Sequence, residues 1–209
     1  MPAAAIRRLA LALLVAGAGA ARAQEAAPAP IEDPRAARFK DVERGLFTGF
    51  EVGYLSFLKT RTADAGKFPF AGEGGRSQGV SVAVTVGYDL GSRLSLSLFG
   101  LGTSQSADAS YGAFDVLAAG LDLRWAFAGA RDRNGWERFL AYVHARGGWL
   151  MTHPTGLFGR RDTLMGGGLG VEYFTQLRHF SVGLQLDGLY ALQAKAPGVS
   201  LAPFVRYTF

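Results

Sequence analysis

Two short segments and two isolated histidines of this sequence offer residue types that do chemistry in other settings. His179-Phe180-Ser181 sets an imidazole two residues from a hydroxyl, a base–nucleophile arrangement that would also need an acid to orient the histidine. Gly166-Gly167-Gly168-Leu169-Gly170 has the glycine density of a phosphate-binding loop. Such a loop works by presenting a helix N-terminus to the anion, and here a strand, Val171–Leu177, follows, so strand curvature is the better reading. His144 and His153 are distant from other ligand types, and three histidines with no cysteine make no metal signature. No catalytic, cofactor or metal-binding residue is assigned, and no cofactor is expected.

A different set of polar residues stands out once the periodicity of the chain is considered. Val80, Val82, Val84, Val86, Tyr88 and Leu90 alternate with Ser81, Ala83, Thr85, Gly87 and Asp89, the period of two that marks a strand with two unlike faces. Leu94, Leu96 and Leu98 resume the pattern after Gly91-Ser92-Arg93. Leu117 to Phe127 and Phe180 to Tyr190 repeat it. Leu46–Leu58, Phe139–Thr152, Thr163–Leu177 and Val199–Phe209 complete a set of eight strands with weaker patterning. Each has roughly the ten residues that a tilted strand needs to cross a bilayer, and the number is even. The expected fold is all-β: an eight-stranded antiparallel up-and-down transmembrane β-barrel. A soluble β-sandwich would instead bury the Val/Leu faces against a second sheet.

If the apolar faces meet lipid, the opposite faces line a lumen. That face carries Glu51, Asp122, Arg124, His144, Arg146, Glu172, Asp187 and Arg206, interleaved with small residues and Tyr142. Three arginines and a histidine against four carboxylates nearly cancel. An eight-stranded barrel is only wide enough inside for side chains, so the expectation is a plug of mutually satisfied ion pairs with no aqueous pore. Gly53, Gly87, Gly120, Gly168, Gly170 and Gly183 make room for the long side chains on that face.

The two ends of the sequence point the same way. Arg7 and Arg8, the apolar run Leu9 to Ala20, and Ala21-Arg22-Ala23 fit an export signal, giving 1–23 as signal peptide, 24–44 as periplasmic leader and 45–209 as barrel. No charge-free apolar stretch of about 18 residues follows, so no spanning helix is expected. Losing Arg7, Arg8 and Arg22 leaves 19 basic against 17 acidic residues, which lowers the formal charge from +5 to +2 and removes the main support for nucleic-acid binding. At the other end, Ala202–Phe209 closes on aromatics at Tyr207 and Phe209. A last strand must pair with the first to remove the open edge, and interfacial aromatics anchor it. Tyr207 and Phe209 also resemble the terminal signal read by the barrel-assembly machinery. Short joins at Gly91–Arg93 and around Arg178-His179 are expected on the periplasmic side, with both barrel ends periplasmic. Longer joins at Lys59–Gly79, Ser104–Phe114, Pro154–Asp162 and Gln193–Gly198 are expected outside. Ala128–Arg138 stands out as a charged periplasmic turn of unusual length.

Several phrases together resemble a known family. They are Phe39–Gly45 (FKDVERG), Tyr111–Asp115 (YGAFD), Leu123–Phe127 (LRWAF), Arg131–Asn134 (RDRN), Glu137–Phe139 (ERF), His153–Gly159 (HPTGLFG) and Gly170–Gly183 (GVEYFTQLRHFSVG). They are similar to the CglE family of myxobacterial adventurous gliding motility proteins, from about Phe39 to Phe209. That resemblance implies a non-enzymatic outer-membrane barrel, a scaffold or adhesion partner in a trans-envelope motility complex. Its expected partners are outer-membrane lipid, the barrel-assembly machinery, and other outer-membrane barrels and lipoproteins. The alternative is a general small structural or solute barrel. A lipid-modifying barrel enzyme is a distant third, since His179-x-Ser181 is similar to the His-x-Ser of lipid A deacylases but falls at a turn expected on the wrong side for outer-leaflet lipid.

Overall fold

A computed structural model of the protein describes residues 44–60, 75–107, 113–132, 135–153, 161–175, 177 and 179–209. Eight antiparallel strands close on themselves in sequence order: β1 Leu46–Thr60, β2 Gly75–Asp89, β3 Leu94–Ala107, β4 Ala113–Arg131, β5 Glu137–His153, β6 Asp162–Phe174, β7 Phe180–Ala191 and β8 Ala196–Thr208. Closure comes from β8 lying against β1, with Phe47 opposite Thr208 and Gly49 opposite Arg206. A closed sheet leaves no unpaired edge for hydrocarbon to meet, which is the condition for strands to span a bilayer.

Alternation decides what each strand shows outward. Val80, Val82, Val84, Val86 and Tyr88 on β2 are all exposed, and so are Leu117, Leu121, Leu123, Trp125 and Phe127 on β4. The same holds for Phe180, Val182, Leu184 and Leu186 on β7. Their partners in register continue the band from strand to strand, as where Leu96, Leu123 and Ala145 lie side by side across β3, β4 and β5. An exposed apolar surface on this scale is a surface for lipid, because a soluble protein shows far smaller patches. Aromatics gather at one rim of the band: Tyr207 packs with Phe180 and Phe209, each at a ring separation of 5.0 Å.

The tight turns between β2 and β3, β4 and β5, and β6 and β7 share one end of the barrel with the start of β1 and the finish of β8. This is called the turn end here, and the opposite one the loop end. Several joins are shorter than the sequence suggests. β3 runs on to Ala107 and β4 starts at Ala113, so the expected Ser104–Phe114 join is mostly strand. Lys59–Gly79 likewise loses residues to β1 and β2.

Three further expectations are corrected. Ala128–Arg138 is not a long turn, since β4 continues to Arg131 and β5 begins at Glu137. Irregularities between Ala126 and Ala128, and between Ala130 and Arg131, absorb the extra residues while the ladder continues. Gln193–Gly198 is tight as well: Asp162 accepts the backbone N–H of Gln193 at 2.8 Å and of Ala194 at 3.0 Å, and Lys195 takes a φ of 51° to complete the reversal. β6 also stops at Phe174, three residues short of the expected Leu177, where Thr175 turns the chain by bonding Phe180. The expected signal peptide and nearly all of the leader lie outside the described residues, as do 61–74, 108–112 and 154–160 in the loops.

Candidate functional site

The inward positions of the strands converge on two regions of the lumen. Toward the loop end the filling is mainly apolar, with a few buried polar side chains such as Gln105 and Ser77: Leu55, Phe57, Val116, Leu150, Leu164 and Leu189 are all buried in one cluster with Phe99 and Phe114. Toward the turn end and the barrel middle it is charged. All eight lumenal residues expected from the sequence point inward, and seven of them are buried, with Arg124 only slightly open.

They form two linked groups. In the first, the His144 ring lies between two carboxylates, with Nδ1 2.9 Å from Asp122 Oδ2 and Nε2 2.6 Å from Asp187 Oδ1. Arg146 Nε donates to Asp122 Oδ2 at 3.0 Å, and its Nη1 lies 3.7 Å from Asp187 Oδ2. In the second, Arg124 Nη1 donates to Glu172 Oε2 at 2.9 Å, and the Ser181 hydroxyl donates to Glu172 Oε1 at 2.5 Å. Arg206 lies 3.8 Å from the same carboxylate and donates to Asp89. Glu51 is held by Gln185, whose Nε2 donates to Glu51 Oε2 at 2.7 Å, while the Tyr142 hydroxyl donates to Gln185 Oε1 at 3.3 Å. The guanidinium of Arg124 lies 4.0 Å from the centre of the Tyr142 ring, which joins the groups.

Glycine makes this density feasible at two positions. A Cβ at Gly168 would collide with the Leu186 carbonyl and crowd Asp187 and His144, and one at Gly170 would collide with the Tyr142 ring. Both lie within the Gly166–Gly170 run, which sits inside β6 and shapes the lumen. Asp89, Gln185 and Ser181 belong to the network but were not expected in it from the sequence, where Ser181 stood out only in the His179-x-Ser181 spacing. Their signal was their place on the polar face of β2 and β7, opposite the lipid-facing valines and leucines.

The His179-x-Ser181 spacing does not assemble a hydrolytic pair. Ser181 is buried in the lumen with its hydroxyl committed to Glu172, while His179 Nδ1 bonds the Thr208 carbonyl at 2.9 Å. Tyr207 and Phe209 lie at the β1–β8 seam, where the Phe209 N–H donates to the Leu46 carbonyl at 2.9 Å.

Neither a family model nor a curated protein matches the chain. Solved structures do. The crystal structure of Neisserial surface protein A aligns with a TM-score of 0.58 at 15% identity, over 79% of this chain and 97% of that one. The outer membrane protein OprG from Pseudomonas aeruginosa aligns at 0.51 with 12% identity, over 82% of this chain and all of the other. The fold is that of a small outer-membrane β-barrel. At these identities the likeness speaks to the fold alone. What the small barrel of this chain can do depends on its own filled interior and its own surfaces.

Proposed function

We propose that the protein is a structural barrel of the outer membrane, closed to solute and acting through contacts at its rims. The observation that carries this reading is the lumen. Apolar side chains fill one part of it and an ion-pair network the other, so a permeating solute would have to break buried pairs at several kcal/mol each. The lipid-facing band supports the membrane location. A lipid-modifying activity has no support at His179 and Ser181, whose polar atoms are engaged elsewhere.

The resemblance to the CglE family supports a narrower reading, a scaffold or adhesion partner in a gliding motility complex that meets other barrels and lipoproteins. On the turn end the β4–β5 hairpin reaches past β3 and β6, which stop opposite Trp125 and Phe139. It is stiffened by Arg138–Asp132 at 2.8 Å and Arg93–Glu137 at 2.6 Å, which makes it a firm projection for a partner to grip. Deleting the gene should abolish single-cell gliding and leave growth and envelope permeability normal. Replacing 131–138 by a short Gly/Ser turn should weaken co-purification with outer-membrane barrels and lipoproteins. Normal gliding with altered solute uptake would overturn the motility reading and favour a solute barrel.

A further inference from the structure

Just inside the turn end, the lumen opens into a recess of about 360 Å³, counting the space open to solvent. Four arginines line it: Arg44, Arg93, Arg124 and Arg206. Among the described residues, their carboxylate partners are fewer. Glu172 serves Arg124 and approaches Arg206, Asp89 serves Arg206, and Glu137 serves Arg93. Among the described residues, Arg44 is bonded to the carbonyl oxygens of Gly91 and Ser92, on the β2–β3 turn.

Two guanidinium nitrogens among these arginines are buried and lack an acceptor: Arg93 Nη1 and Arg206 Nε. A buried, charged donor without a partner is costly, and native structures resolve it with water or an ion. Arg206, which is buried, and Arg93, whose side chain is partly open, both line the recess, and the excess of positive charge there calls for an acceptor that is itself negative. Guanidinium groups match carboxylate and phosphate oxygens in geometry, and the partly dehydrated recess strengthens the attraction.

We infer that this recess binds an oxyanion, a phosphate or carboxylate group, through Arg44, Arg93 and Arg206. The group can arrive as a free anion or on a lipid headgroup at the turn end, and the chemistry at the arginines is the same. The inference stands apart from the motility reading, since it requires only the barrel and its recess.

The test is side-chain nitrogen NMR of the arginines in the refolded barrel, titrated with inorganic phosphate in uncharged detergent. The Arg206 and Arg93 resonances should shift saturably, with one phosphate per barrel. Arg93→Gln and Arg44→Gln should each weaken binding by about tenfold, the loss expected for one charge-assisted contact. Arg161→Gln, exposed at the loop end and far from the recess, should leave it unchanged. Heat-modifiable gel mobility checks that each variant is folded. Nanodiscs separate the sources: shifts in phosphatidylglycerol discs without added phosphate, absent in phosphatidylcholine discs, identify the headgroup, and shifts only with added phosphate identify the free anion. A response to chloride equal to that of phosphate at matched ionic strength would overturn the site. So would full affinity in both recess variants, or no saturable shift in any condition.

Discussion

Replacing Glu172 by Leu should destabilise the barrel by about 3–5 kcal/mol, the cost of breaking a buried ion pair by removing one partner. Glu172 is 2% exposed and accepts from Arg124 and Ser181 while facing Arg206. Its loss leaves Arg124 with no carboxylate at bonding distance, stacked over Tyr142 in the lumen. Leucine fills much of the vacated volume, so the effect reports charge and not a cavity. The double variant Glu172→Leu/Arg124→Leu should recover a large part of the loss, because it removes the stranded cation as well. Equilibrium urea unfolding in lipid vesicles reads both. A loss below about 1 kcal/mol for the single variant would mean that solvent reaches this layer of the lumen and screens it.

Deleting Tyr207–Phe209 should block assembly altogether. These residues carry the turn-end part of the seam: Tyr207 lies opposite Thr48 on β1 and Phe180 on β7, the Thr208 N–H donates to His179, and the Phe209 N–H donates to Leu46. Without them the start of β1 loses its partner, and each backbone group left unpaired in lipid costs several kcal/mol. The truncated chain should be degraded or remain periplasmic, with no heat-modifiable band in the outer-membrane fraction. The single variants Tyr207→Ala and Phe209→Ala keep the backbone pairing and should still insert, which separates ladder closure from aromatic anchoring. Wild-type amounts of folded truncated protein would show that closure does not depend on this stretch.

How much of this was legible in the sequence varies by strand, for physical reasons. β2 was plain because its inward residues are small or polar and its outward ones are valines. β6 was faint because Gly166, Gly167, Gly168 and Gly170 carry no side chain to alternate; Gly168 leaves room for Asp187 and His144, and Gly170 for Tyr142. Strand ends were underestimated where the outward residues turn polar, as at Gln78, Ser104 and Ser106, because the hydrogen-bonded ladder continues beyond the lipid-facing band. The β4–β5 hairpin was hidden by bulges, which break the period of two without breaking the pairing.

The charged residues of the lumen were legible because a charge on a lipid-spanning strand has only one face to occupy. The apolar plug was not. Leu55, Phe57, Val116, Leu150, Leu164 and Leu189 face inward like Glu51 and Asp122, and on the same strands Leu58, Leu117, Met151 and Met165 face outward, so both faces are apolar there and hydrophobicity no longer tells inside from outside. Asp89 was placed on the polar face of β2, but its tie to Arg206 joins residues 117 positions apart, which no local pattern reveals.

Closure of the lumen is the claim on which the functional reading rests, and current across a planar bilayer tests it most directly. Tyr142, Phe57, Leu55, Leu150 and Leu164, each no more than 1% exposed, occupy the space a pore would need. Purified, folded protein should insert without producing stable stepwise conductance at any voltage the bilayer tolerates. A sustained porin-like conductance from the same preparation would contradict a filled lumen and assign the barrel a role in transport.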